Sequence, residues 1–428
     1  MKIEITNGSL LNHQGEWQEF KCIQITDGLI TKILQDDSAA SPDFIADQQI
    51  NAKGCYVFPG LTDLNVSLRD PGYSVKGSVE SETAAAAAGG VTTLCCTPET
   101  DPINDSEAVT KLISELAQTS NKCQVLPLGA LTQGLKGEQL SEYASLKQAG
   151  CIALSNTYHP IKNLAITKRC FEYARTHNLS VFINPIEASL HEGVMHENHV
   201  STTIGLQGIP SLAETIAVAQ LIQLAQTTDA HLHLSQISAA DSVSQVKTAK
   251  EKGIKVTADV AAHNLLYTDE QVENFNSMFH CMPPIRSEPD RQALLKGLNA
   301  GVIDAITSAH QPHEAAAKQM PFGETEPGIS GIELLLPMAT QLADNSELPL
   351  TRFISAMTTQ SAVILSLDTP EIAEGRAANL CIFDPVHSWK LKAEDLLSKG
   401  KNSPLIGQTL KGKVKATIYS GSISFIDN

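Results

Sequence analysis

Residues 58–72 read FPGLTDLNVSLRDPG. Leu64, Val66 and Leu68 alternate with Asp63, Asn65, Ser67 and Arg69, the period-2 pattern of a buried strand running into a loop. One face of that strand therefore carries only polar side chains. The pattern recurs downstream. From about Leu61 to Ser308, short apolar runs alternate with longer segments of helical pattern; the runs LTDLNV, VTTLCC, QVLPLGA, CIAL, SVFIN, HLHLS, IKVTADV and VIDAITS start near Leu61, Val91, Gln124, Cys151, Ser180, His231, Ile254 and Val302. Eight strands alternating with helices predict an α/β fold, a (β/α)8 barrel. The intervening segments support it: ESETAAAAAGG reads as an alanine-rich helix stopped by Gly89 and Gly90, and SLAETIAVAQLIQLAQ repeats apolar residues at helical spacing.

The two ends differ from the middle. MKIEITNGSLLNHQGEWQEFKCIQITDGLITKIL and ANLCIFDPVHSWKL through LKGKVKATIYSGSISFI are strand-and-turn patterns, with TDG and YSG as turn signals. Strands at both termini predict one small β-sandwich, built from 1–54 and 366–428, beside a barrel of 55–365.

A chain of 428 residues with 42% hydrophobic content fills a large core. The formal net charge of -16, from 31 basic and 47 acidic residues, argues against a nucleic-acid or anionic-membrane partner, which a surface of this sign repels. Nine scattered cysteines, without a CxxC pair, have the usage of reduced, buried thiols. The start MKIEITNGSLL lacks the basic-then-apolar form of a signal peptide, and the expected location is the cytoplasm.

In a (β/α)8 enzyme the chemistry sits at the C-terminal ends of the strands. Strand one ends at Asn65 and Ser67; strand four is followed by Ser155, Asn156 and Thr157; strand five ends at Asn184, strand six runs on to Gln236, and strand eight is followed by Ser308 and Ala309. A hydrolytic metal centre needs three or more His, Asp, Glu or modified Lys ligands, because these supply negative charge or a basic lone pair. No carboxylate or imidazole is read at these places. Ser67, Ser155 and Cys96 lie near strand ends, but no base and oriented acid is read beside them. His196 and His199 in HEGVMHENH have a spacing seen in metal sites, yet with His191 they read as a solvated or interfacial loop. His310 and His313 in HQPH read as loop-packing residues, and His233 as a satisfied barrel histidine.

The chain resembles the dihydroorotases of the cyclic-amidohydrolase superfamily nearly end to end. PGLTDLNVSLRDPG matches the family pattern PGLVDxHVHLRxPG, AAAAAGGVTTL matches AAAAGGxTTV, and TPETDP at Thr97 to Pro102 matches MPNTxP. GVMHENHVSTTIGLQGIP, PPIRSEPDRQALLKGL, FGETEPGISGIELLLP and LLSKGKNSPLIGQTLKGKVKATIYSG also have close family counterparts. The departures fall on the chemistry. The resemblance maps the paired strand-one histidines to Asn65 and Ser67, the acidic or modified-lysine ligand to Asn156 or Thr157, and the later histidines to Asn184 and Gln236. The catalytic aspartate maps to Ala309 in SAHQPH. Arg69 remains as a relic of substrate-carboxylate binding, Glu99 replaces the asparagine of MPNT, and Met282 replaces another family asparagine.

The expectation is a non-catalytic member holding no metal and no cofactor. The resemblance implies a partner as well: in some bacteria, inactive dihydroorotase-like chains assemble with aspartate carbamoyltransferase, the preceding enzyme of pyrimidine synthesis, and self-association as a dimer is expected. The alternatives are a cyclic-amide hydrolase of altered chemistry and a ligand-binding regulator using the vacated pocket.

Overall fold

The computed structural model describes residues 1–12, 15–35 and 44–427. The eight apolar runs form eight strands: β1 (Leu61–Val66), β2 (Val91–Cys96), β3 (Gln124–Ala130), β4 (Ala153–Ser155), β5 (Ser180–Ile183), β6 (Leu232–Leu234), β7 (Val256–Ala261) and β8 (Ala305–Thr307). Each pairs in parallel with the next in chain order. The ring shuts through a parallel bridge between Val66 and His310 and through the Ser67 amide, which donates to the His310 carbonyl at 2.9 Å. Every residue of β1 and β2 is buried, the polar Thr62, Asp63, Asn65, Thr92 and Thr93 included, because the strands are covered on both faces.

β4 and β8 start later than their apolar runs. The amide of Cys151 bonds to Leu146 O, and the amides of Val302 and Ile303 both bond to Gly297 O. These residues still serve the preceding helix end, so the sheet ladder begins only at Ala153 and Ala305.

The covering helices include α1 (Val79–Ala88), α2 (Glu107–Ser120), α3 (Tyr143–Ala149), α4 (Leu164–Thr176), α5 (Ser211–Thr228), α6 (Ala240–Glu251), α7 (Glu288–Asn299) and α8 (Leu335–Asp344). A capping box opens α1: Ser78 Oγ accepts the Ser81 amide at 3.2 Å and Ser81 Oγ accepts the Ser78 amide at 3.0 Å. Gly89 ends it, in a place where a Cβ would stand 2.2 Å from Ile332 O.

Both termini build one sheet beside the barrel. Its middle strand, Tyr56–Pro59, pairs in parallel with Lys2–Leu11 and antiparallel with Leu380–Lys390, so it joins the two ends of the chain. That strand falls inside 55–365, beyond the boundary expected at residue 54. The sheet keeps a core of its own around Ile5, Ile23, Val57, Ile382 and Ile418. Phe58, Phe383 and Val414 instead join the barrel's core, which fixes the sheet against it. All nine cysteines are buried and unbridged.

Candidate functional site

The polar face of β1 turns into the barrel. Asn65 is buried with its Oδ1 unpartnered, and Ser67 Oγ lies 3.3 Å from Thr97 Oγ1 just past β2. Across the mouth, Asn184 Nδ2 donates to Gln236 Oε1 at 3.0 Å, and the Tyr158 hydroxyl donates to the same oxygen. Asn184 Oδ1 and Gln236 Nε2 are left buried and without partners. The structure thus brings Asn184 and Gln236 together under a tyrosine that the sequence reading missed. A phenol in the segment NTYHP after β4 was the available signal.

Asn156 faces the other way. Its Oδ1 accepts from Thr132 Oγ1 at 2.9 Å, and its Nδ2 donates to His159 O at 2.7 Å and Leu135 O at 3.3 Å. It ties two rim loops together, while Thr157 follows in a left-handed conformation with φ 47°. Arg69 (φ 62°), Gln236 (φ 58°) and Ala309 (φ 49°) share that conformation, which non-glycine residues adopt only where their surroundings impose it. Four rim positions thus keep a strained backbone.

Two carboxylates and an imidazole lie beneath the rim. Asp259 Oδ2 is 2.8 Å from His233 Nε2, and Asp259 Oδ1 accepts the Gln236 amide at 2.7 Å. Thr257 Oγ1 meets His233 Nδ1 at 2.8 Å, so this histidine is satisfied inside the barrel. Asp63 accepts hydrogen bonds from the Asn65 and Ser308 amides and the Thr307 hydroxyl. Burial pushes the Asp63 carboxyl up, and those donors oppose it.

Arg69 is committed to the loop that follows β8. Its Nε donates to Pro312 O at 3.2 Å, and its Nη2 lies 3.1 Å from His313 Nε2. Burial pulls the guanidinium's pKa down; the nearby carboxylate of Glu99 opposes that, while Glu99 itself lies 3.4 Å from His159 Nδ1. Burial, Arg69 and Lys76 together hold His313 at about 2. The other histidine of this loop, His310, is buried with its Nε2 2.8 Å from Glu82 Oε2, which ties the loop to α1.

His196 corrects an expectation. It is buried rather than solvated, in the short strand Met195–His196 that pairs with Gly208–Ile209. Its Nδ1 lies 3.1 Å from Arg286 Nη1, and burial followed by that guanidinium lowers its pKa to about 4. His199 starts a short helix, His199–Ile204, so the segment is ordered by pairing and capping that its sequence pattern does not announce.

The resemblance to dihydroorotases, not the barrel itself, would place a metal at the barrel mouth. The donors that meet there are amides and hydroxyls, and among the described residues no three His, Cys, Asp or Glu side chains are gathered to hold an ion. Neutral donors of this kind do not fit a catalytic zinc, which draws on imidazole, thiolate or carboxylate.

The family model for dihydro-orotase-like proteins matches residues 54–242. A curated dihydroorotase-like protein of Pseudomonas aeruginosa is 41% identical over 425 residues, covering 99% of each chain. The chain belongs to the dihydroorotase-like family. A dihydroorotase-like protein of Pseudomonas putida is likewise 41% identical, over 424 residues and 99% of each chain; a dihydroorotase of Syntrophotalea carbinolica is 37% identical over 426 residues, again 99% of each. Among solved structures, the L-hydantoinase of Arthrobacter aurescens superposes with a TM-score of 0.86 at 21% identity, over 98% of this chain and 95% of its own. That likeness shows that this dihydroorotase-like chain shares the hydantoinase's overall fold, here a barrel with a terminal β-sheet.

Proposed function

We propose that the chain is a non-catalytic dihydroorotase-like protein, acting as a structural or assembly subunit for aspartate carbamoyltransferase in pyrimidine biosynthesis. The observation that carries the reading is the hydrogen-bonded group Asn184, Gln236 and Tyr158, which stands at the strand ends where a hydrolase needs metal ligands. Around it, barrel, terminal sheet and rim loops are intact. Packing and surface residues remain useful to an assembly after the chemistry has gone. Co-expression with the carbamoyltransferase catalytic chain, followed by sizing with mass detection, tests the proposal: a single heteromeric mass supports it, and independent migration of the two chains overturns it.

One observation favours a second reading, a ligand-binding regulator. Asn65 Oδ1, Asn184 Oδ1 and Gln236 Nε2 are buried polar atoms without protein partners at the former site. If Asn184→Ala abolishes complementation of a deletion strain while the chain stays folded, this second reading replaces the first.

A further inference from the structure

The opposite end of the barrel carries a cavity of about 390 Å³ whose charge runs against the rest of the molecule. Its walls are the N-terminal ends of β4 to β7: Ala153 and Ser180 open β4 and β5, while His231 and Lys255 immediately precede β6 and β7. In a chain of net charge -16, three cations, Lys147, Arg175 and Lys255, line it against one carboxylate, Asp229. Asp229 answers two of them, at 2.8 Å from Lys255 Nζ and 3.4 Å from Arg175 Nη2. Lys147 gives one N–H to the His177 carbonyl at 2.6 Å, which leaves two donors of its ammonium. The side chains of Asn178, Ser180 and His231 make no hydrogen bond among the described residues. Beneath these polar groups, Ile152, Leu179, Phe182, Ile364 and Leu365 form an apolar floor.

We propose that this basin is a binding site for a small organic phosphate monoester, its phosphate held by Lys147, Arg175 and Lys255 and its apolar body seated on Phe182 and Leu365. The wall's excess of two positive charges matches a phosphate monoester, which carries about -1.5 to -2 near pH 7. A bare inorganic anion would leave the floor uncovered. The volume falls in the range of small-molecule sites, roughly 300–1,000 Å³. The site is separate from the barrel mouth, and it stands or falls independently of the assembly role.

Isothermal titration of the full chain with phenyl phosphate tests it, with inorganic phosphate and benzyl alcohol as partial probes. The expected result is saturable binding of one phenyl phosphate per chain, weaker binding of inorganic phosphate and none of benzyl alcohol. Affinity should fall as salt screens the cations. In Lys147→Ala/Lys255→Ala it should fall by roughly tenfold, the loss of two charge-assisted contacts, with the thermal midpoint reporting that the variant is folded. Absence of saturable binding, affinity indifferent to salt, or unchanged affinity in the folded double variant overturns the proposal. So does displacement of phenyl phosphate by hexaglutamate at lower concentration than phenyl phosphate itself requires, which would assign the basin to an acidic segment of a partner chain.

Discussion

The amide nitrogen of Ser308 lies 3.2 Å from both carboxylate oxygens of Asp63. Asp63 lies within β1 and Ser308 directly follows β8, the first and last strands, whose only ladder contact among the described residues is the bridge between Val66 and His310. A side chain therefore adds closing hydrogen bonds to the one backbone bridge between Val66 and His310. The carboxylate can accept from several donors at once, which suits a seam lined by N–H and O–H groups.

Asp63→Asn should loosen that seam. The introduced NH2 would face the Thr307 hydroxyl, the Ser308 amide or the Asn65 amide, all of them donors to Asp63. The expected loss is about 1–3 kcal/mol, the scale of a buried group left unsatisfied. Urea unfolding of the two proteins at neutral pH measures it.

Glu333 gives a pH signature. Burial lifts its carboxyl from 4.5 to about 7, against hydrogen bonds from the Leu397 and Ser398 amides. A raised folded-state pKa means that the contribution to stability is complete below about pH 4.5 and is lost as pH rises through about 7. In Glu333→Gln the side chain is neutral throughout, so the fall in stability between pH 5 and 8 should shrink by up to about 2 kcal/mol relative to the parent. Unfolding free energies across that pH range decide it.

Arg286 and Glu214 form a buried pair at 3.4 Å, and the carboxylate also accepts the Ser238 and Ala239 amides. Arg286→Met removes the cation and leaves the carboxylate enclosed, at an expected cost of about 3–5 kcal/mol. Arg286→Met/Glu214→Leu should be less destabilised than Arg286→Met alone. A smaller loss in the single variant than in the double would mean that the packing, not the charge, dominates there.

Asn65→His should give neither stoichiometric zinc nor turnover between carbamoyl aspartate and dihydroorotate. One imidazole cannot hold the cation and orient water, and Ala309 still offers no proton-transfer group. Elemental analysis together with an assay in both directions is the measurement.

The barrel and the terminal sheet were legible in the sequence because both rest on local periodicity. Strands buried on two faces leave short runs free of charge, such as VTTLCC, and the helix over 79–88 announces its own end with Gly89 and Gly90. The identity of the rim residues followed from the same logic, since each stands within two residues of the end of a strand whose direction is known. Asn65, Asn184, Gln236 and Ala309 could be placed at one end of the barrel without coordinates.

What they do there was decided only in three dimensions. Asn156 and Asn184 are both amides at strand ends, yet one turns out to knit Thr132, Leu135 and His159 together while the other meets Gln236. His196 looked like a loop residue until Arg286, 90 positions away, was found at its ring. Asp63 was visible in the opening stretch as one polar residue in an alternating strand, and its role at the seam depends on Ser308, 245 residues on. The basin of Lys147, Arg175 and Lys255 likewise joins cations from α3, α4 and the approach to β7, each unremarkable in its own stretch. Period and turn chemistry are properties of neighbours in the chain, so sequence alone determined the fold. Hydrogen-bond partners, burial and charge balance arise from contacts that chain closure creates, and those only the tertiary structure could decide.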